Sequence, residues 1–197
     1  VVIVPIGDSA ADQAAAALTA GRVVALPTDT VYGLAVDAFH QGATARLFAA
    51  KRRPYDVDLP VLIGDPDDVA RLASDVPPVA AELIARWWPG PLTLVLWRRP
   101  GLDIDLGTST RTVGIRCPDA PFLRNLARRI GPLAVTSANR HGDPTPTNAF
   151  DVASVFSPDD VALVVDGGLC DGEPSTVVDV TTGEPRILRQ GALSIEG

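Results

Sequence analysis

A buried-type run at residues 23–26 breaks at Pro27 and gives way to hydroxyl groups, with Thr28, Thr30 and Tyr32 at alternate positions in LPTDTVYG. In extended backbone alternate side chains point the same way, so the three are expected to face one cavity suited to a small polar ligand. Thr and Tyr are also ordinary strand residues, and that reading stands beside the first. Lys51 and Arg53 close a helical stretch, where they either ligate an anion or complement the helix dipole. Arg116 ends the buried-type run at 113–115, where an arginine needs an anionic partner. Ser137 and Asn139, in TSAN, follow another apolar run; both form turns readily, and both offer donors and acceptors to a phosphate or a base edge. Ser175 and Thr176 follow a loop opened by Asp166, Gly167 and Gly168, an arrangement common to hairpins and ligand loops. Arg189 stands near Gly191, where a glycine lets a ligand approach the backbone closely.

These segments contain no Ser-His-Asp set and no carboxylate pair. His40 reads as a surface-turn residue, and His141 lies beside TSAN, where turn histidines are usually solvated. Neither GxxxxGK[ST] nor GxGxxG occurs, so a nucleotide is not held by a P-loop or a Rossmann turn. Cys117 and Cys170 lack partners at metal-ligand spacing, which argues against structural zinc and fits two reduced, packed thiols.

The elements that position these groups alternate. Strands are expected at 2–4, 23–26, 59–63, 92–97, 112–116, 133–136, 161–165, 176–180 and 186–188. Helices are expected from Asp8 or Ser9 to Gly21, and at 42–52, 66–74, 78–88, 120–130 and 148–156. Pro54 ends the helix that carries Lys51. The interleaving predicts an α/β fold with a mixed sheet, and no linker divides residues 1–197.

With 197 residues, 46% of them hydrophobic and 21% charged, the chain has the make-up of one soluble globular domain. No apolar run approaches the roughly 18 residues of a membrane span and no leader is visible, so a cytoplasmic location is expected. The sequence lacks Met altogether, which suggests that the numbering starts inside the natural chain. A net charge of −7 argues against wide nonspecific nucleic-acid binding. Arginines cluster locally even so, at 52–53, 98–99 and 128–129, and a focused basic cleft can hold an anionic ligand on an acidic protein.

Read in order, LPTDTVYGL, KRRP, WWPGPLTLVL, VGIRCPDAP, TSANRHGDPTPT, DGG with PSTVVD, and ILRQGALS cover about residues 17–194. This succession resembles the YrdC-like family, the L-threonylcarbamoyladenylate synthases. The resemblance implies a single-domain, twisted mixed parallel and antiparallel sheet, flanked by helices around a concave basic pocket. The chain ends just after ILRQGALS and so looks like the short form of the family.

It also implies a nucleotidyltransferase reaction joining L-threonine, bicarbonate and ATP into threonylcarbamoyl-AMP with release of pyrophosphate. The product would pass to a threonylcarbamoyl transferase complex for t6A modification of tRNA. Lys51 and Arg53 match the family's KxR motif, the catalytic pair expected on the triphosphate. Ser137 and Asn139 match its SxN motif at the nucleotide, and Arg189 its late arginine there. Thr28, Tyr32, Arg116 and Ser175 match positions around the threonine, with Arg116 as partner of its carboxylate. Mg²⁺ is expected on the ATP phosphates, with no metal ligand from the protein. Because the carbamate of threonine is itself an anionic nucleophile, such a site needs cations and hydroxyl donors more than titrating groups.

Departures are visible. Val57 stands where many relatives carry a second Lys, and Asp29 replaces the Glu of PTET. Gln190 interrupts LRPG, and Pro174 replaces the Glu of EST. Two other functions remain open at this point. One is a noncatalytic RNA-binding module in tRNA or ribosome maturation; the other is a carbamoyl-transfer domain like those of hydrogenase maturation factors.

Overall fold

In the computed structural model, residues 1–52, 54–55 and 57–195 are described. Period-2 patterning puts alternate residues of each central strand into two different apolar layers. Val24 and Leu26 of β2 (Val24–Leu26) pack with Leu133 and Val135 of β7 (Leu133–Ser137), under α1 (Asp8–Thr19) and α5 (Pro121–Ile130). Ala25 and Ala134, the intervening residues, belong to the larger core on the opposite face. That core is closed by α2 (Ala43–Lys51), α3 (Val69–Leu72), α4 (Pro78–Trp87) and α6 (Ala149–Val155).

The remaining described strands are β1 (Val2–Pro5), β3 (Gly33–Asp37), β4 (Val61–Leu62), β5 (Leu92–Trp97), β6 (Thr112–Arg116), β8 (Leu163–Asp166), β9 (Thr176–Asp179) and β10 (Arg186–Arg189). All ten form one sheet in the order β1-β8-β2-β3-β7-β4-β6-β5-β9-β10. Parallel pairs (β1/β8, β2/β8, β4/β6, β5/β9) mix with antiparallel ones (β2/β3, β3/β7, β4/β7, β5/β6, β9/β10). This is the mixed α/β sheet that the alternation of patterns predicts. The cavity described below is lined by residues of β3, β7, β4, β6, β5, β9 and β10, which are consecutive in the sheet.

The structure departs from expectation in three elements. β3 is a strand where none is expected: GLAVD pairs antiparallel with β2, Val24 opposite Ala35, and PTDTVY is the loop between them. The strand expected at 59–63 is only the two residues of β4. The helix expected at 66–74 is a 3₁₀ turn, Pro66–Asp68, followed by the single turn of α3, because Ala73 is already extended.

Candidate active site

Thr28 shapes the loop after β2. Its hydroxyl accepts hydrogen bonds from the backbone N–H of Thr30 (3.1 Å) and Val31 (3.2 Å), a side-chain-to-backbone turn. The two threonine hydroxyls stand 3.0 Å apart, and both side chains line the cavity. The expectation that Tyr32 joins them is corrected. The turn breaks the alternation of an extended chain, and the Tyr32 ring is fully buried in the opposite core. Its hydroxyl donates to the Gly168 carbonyl (2.8 Å) and accepts from the Gly167 N–H (3.2 Å), so it shapes the DGG loop instead. Burial raises the pKa of this phenol.

Lys51, the last residue of α2, is 2% exposed. Arg52 follows in the left-handed conformation (φ 51°), its N–H bonded to Ala49 and Phe48 carbonyls, and so ends the helix there. The Lys51 ammonium enters the TSAN turn. Nζ lies 2.7 Å from the Ser137 carbonyl, 3.1 Å from Ser137 Oγ, 2.8 Å from the Asn139 carbonyl and 2.8 Å from Asn139 Oδ1. Ser137 Oγ also donates to Asn139 Oδ1 at 2.6 Å. Three sequence-predicted residues are therefore one cluster, tighter than helix-dipole complementarity alone would produce. Of them, Ser137 lines the cavity. Arg53, the partner expected for Lys51, lies outside the described residues.

Arg116, 7% exposed at its side chain, is braced by three groups from two segments. Nε donates to the Gly90 carbonyl (3.0 Å), Nη1 to Thr30 Oγ1 (3.1 Å) and Nη2 to Asp29 Oδ1 (2.5 Å). WWPG and LPTDT thus meet at one guanidinium. Opposite stands Arg189, whose Nη2 donates to the Ser175 carbonyl (2.8 Å) and Ser175 Oγ (3.2 Å). Ser175 Oγ is also 2.8 Å from Thr93 Oγ1. Burial, and next the positive charge of Arg116, hold the Arg189 pKa below its ordinary value. Both guanidiniums line one cavity, an arrangement suited to an anionic ligand. Gly191 permits the local chain path: a Cβ there would stand 2.1 Å from the Pro174 carbonyl oxygen.

The cavity between them measures about 460 Å³. Its polar lining includes Thr28, Thr30, Arg116, Ser137, Ser175 and Arg189, and its apolar lining includes Leu59, Val95, Leu106 and Leu188. Val57, the departure from the family's second lysine, is on the wall. Among the described residues, no group of three His, Cys, Asp or Glu could hold a metal ion. Also among the described residues, no helix is long and apolar enough to cross a membrane. Sequence reasoning missed Thr93 and Gly90. A hydroxyl within the apolar run LTLVLW was the available signal for Thr93; nothing local marks the Gly90 carbonyl.

Residues 16–191 match the family described as Sua5_yciO_yrdC, telomere recombination, and the chain belongs to that family. It is 42% identical over 185 residues to a putative threonylcarbamoyl-AMP synthase of Mycobacterium tuberculosis, covering 93% of this chain and 85% of that one. The threonylcarbamoyl-AMP synthase of Pyrococcus abyssi is 40% identical over 187 residues, covering 93% of this chain and 54% of its own. The crystal structure of P. abyssi Sua5 complexed with L-threonine superposes with a TM-score of 0.90 at 36% identity, over 96% of this chain and 57% of that one. Escherichia coli YciO shares the fold at a TM-score of 0.85 and 24% identity.

Proposed function

We propose that this protein is a threonylcarbamoyl-AMP synthase, condensing L-threonine, bicarbonate and ATP to threonylcarbamoyl-AMP, water and pyrophosphate. The observation that carries this reading is the pair Arg116 and Arg189 facing one cavity rimmed by Thr28, Thr30, Ser137 and Ser175 hydroxyls. Three anionic pieces must meet in such a reaction, and the cavity offers fixed cations and donors for them. The names of the relatives and the threonine-bound archaeal structure support the same choice.

In this reading the threonine amine and bicarbonate give a carbamate and water. A carbamate oxygen then attacks the α-phosphorus, and the bond to the β,γ-pyrophosphate breaks. Arg116 receives the threonine carboxylate, with Thr28 and Ser175 beside it. Lys51, with Arg53, takes charge that develops on the leaving pyrophosphate. The Lys51 ammonium already has several acceptors in the TSAN turn, so an arriving phosphate oxygen replaces one of them. Ser137, Asn139 and Arg189 orient the nucleotide. Tyr32 acts from behind, through the DGG loop. Mg²⁺ enters as part of the ATP substrate, supplying charge neutralisation on the phosphates. The product passes to a cytoplasmic transferase acting on tRNA.

Incubation with ATP, Mg²⁺, bicarbonate and threonine, followed by mass spectrometry, tests the proposal. A threonylcarbamoyl-AMP mass that disappears without threonine or without bicarbonate supports it; its absence with folded protein overturns it.

A further inference from the structure

We propose that Asp29 is a positioning residue for the amino-acid substrate, fixing the Arg116 guanidinium so that it meets the incoming carboxylate in one orientation. The proposal rests on the reading of Arg116 as the carboxylate ligand.

A guanidinium is planar, so hydrogen bonds to its nitrogens fix its rotation as well as its place. Arg116 has one such bond on each nitrogen: Gly90 O on Nε, Thr30 Oγ1 on Nη1 and Asp29 Oδ1 on Nη2. Each terminal nitrogen carries a second N–H, which suits two-point binding of a carboxylate. Of the three braces only Asp29 is charged. Arg116 and Arg189 line the same cavity, and burial, then the charge of Arg116, lowers the pKa of Arg189. Without the Asp29 carboxylate behind it, Arg116 faces another cation with only neutral acceptors to hold it, and its long side chain is free to turn away.

Asp29 acts from behind the wall. Its neighbours Thr28 and Thr30 are among the residues lining the cavity, while its own carboxylate is 12% exposed and turned to Arg116. The other oxygen, Oδ2, is buried without a hydrogen-bond partner. A buried carboxylate oxygen left unsatisfied weakens a fold, and burying an ion pair is a poor source of stability. The arrangement is understandable if the orientation of Arg116 is what the pair provides.

The test is steady-state kinetics of adenylate formation with threonine and ATP varied separately, on the wild type, Asp29→Asn, Asp29→Glu, Arg116→Met and the Asp29→Asn/Arg116→Met double variant. Asp29→Asn is expected to raise the threonine KM at least about tenfold and to leave the ATP KM within about twofold. Asp29→Glu, which keeps the charge, is expected within about threefold of the wild-type threonine KM. In the Arg116→Met background, Asp29→Asn is expected to add less than about twofold. An unchanged threonine KM, an equal rise in both KM values, or full additivity in the double variant overturns the proposal. Should Asp29→Asn fail to fold, Asp29→Glu decides: a wild-type-like threonine KM supports the proposal, and a tenfold rise in both KM values contradicts it. A wild type that makes no adenylate removes the synthase reading itself, whereas an active wild type with an indifferent Asp29→Asn variant removes only the positioning role.

Discussion

Lys51 Nζ lies 2.8 Å from Asn139 Oδ1, although 88 positions separate the two residues. The contact ties the end of α2 to the turn after β7 and joins two motifs that the sequence presents far apart. It also places a cation, 2% exposed, against four oxygens of that turn.

Lys51→Ala therefore has two consequences. The Ser137 and Asn139 acceptors lose a charged donor, which costs about 2–3 kcal/mol of stability, read as a lower urea midpoint. Adenylate formation is expected to fall at least about a hundredfold at temperatures where the variant is folded. Activity near wild type would separate Lys51 from the chemistry and leave it a structural staple.

Ser175 joins Thr93 to Arg189 through one hydroxyl, with 2.8 Å to Thr93 Oγ1 and 3.2 Å to Arg189 Nη2. Ser175→Ala leaves the Arg189 bond to the Ser175 carbonyl in place, so the arginine loosens without being released. A fall of about tenfold in kcat/KM is expected, with a melting temperature within a few degrees of wild type.

Gly114 sits on the cavity side of β6 opposite Val95, and a Cβ there would meet Thr93 Cγ2 at 3.5 Å and Pro60 Cβ at 3.6 Å, ordinary contact distances. Gly114→Val is thus tolerated by the strand, and its two methyl groups occupy cavity space. Substrate binding is expected to weaken at least about tenfold while the fold keeps its melting temperature, measured by calorimetric titration and thermal melts.

Tyr55 stacks on Phe48, ring centroids 4.2 Å apart, and its hydroxyl donates to Asp105. That hydrogen bond, followed by burial, pushes the phenol pKa up to about 12 from 10.0. The folded state thus keeps the proton where the unfolded chain has lost it. Stability from this contact is fully present below pH 10 and is lost as pH rises toward 12. Unfolding free energies measured at pH 9 and pH 11 are expected to differ less in Tyr55→Phe than in the wild type.

Asp160 behaves in the opposite sense. Burial opposes its charge, but hydrogen bonds from the Ser157 backbone and hydroxyl and from Arg140 outweigh this and hold the pKa below the ordinary carboxylate value. Its contribution is present above pH about 4 and is lost as pH falls through the lowered folded value. Asp160→Asn is expected to flatten the acid limb of the stability profile. Because Arg140 follows TSAN and also bonds the Ala50 carbonyl, that acid limb includes loosening beside Lys51.

Helices and most strands were legible because their periodicity is local. α5 and β6 fall almost where the pattern puts them, and so do the turn residues that end them. β3 was hidden because Gly33 opens it directly after the site loop, and a glycine at a strand's start weakens the strand signal. Tyr32 was misplaced because the alternation rule assumes extended chain, whereas the Thr28 hydroxyl folds the backbone into a turn. The pairing of Arg116 with Asp29, 87 positions apart, is a tertiary fact with no local mark. The need of Arg116 for an anion was visible; its resident partner was not. The cluster of Lys51, Ser137 and Asn139 became legible only by the resemblance of separate motifs to one family.

The central claim is tested most directly by pyrophosphate release from ATP with and without threonine and bicarbonate, in the wild type and in Lys51→Ala. The account predicts release that requires both co-substrates, accompanied by an equal amount of labelled threonylcarbamoyl-AMP, and abolished in folded Lys51→Ala. Folded wild-type protein that releases no pyrophosphate, or releases it equally without threonine, would contradict it; RNA binding by such protein would favour the noncatalytic module.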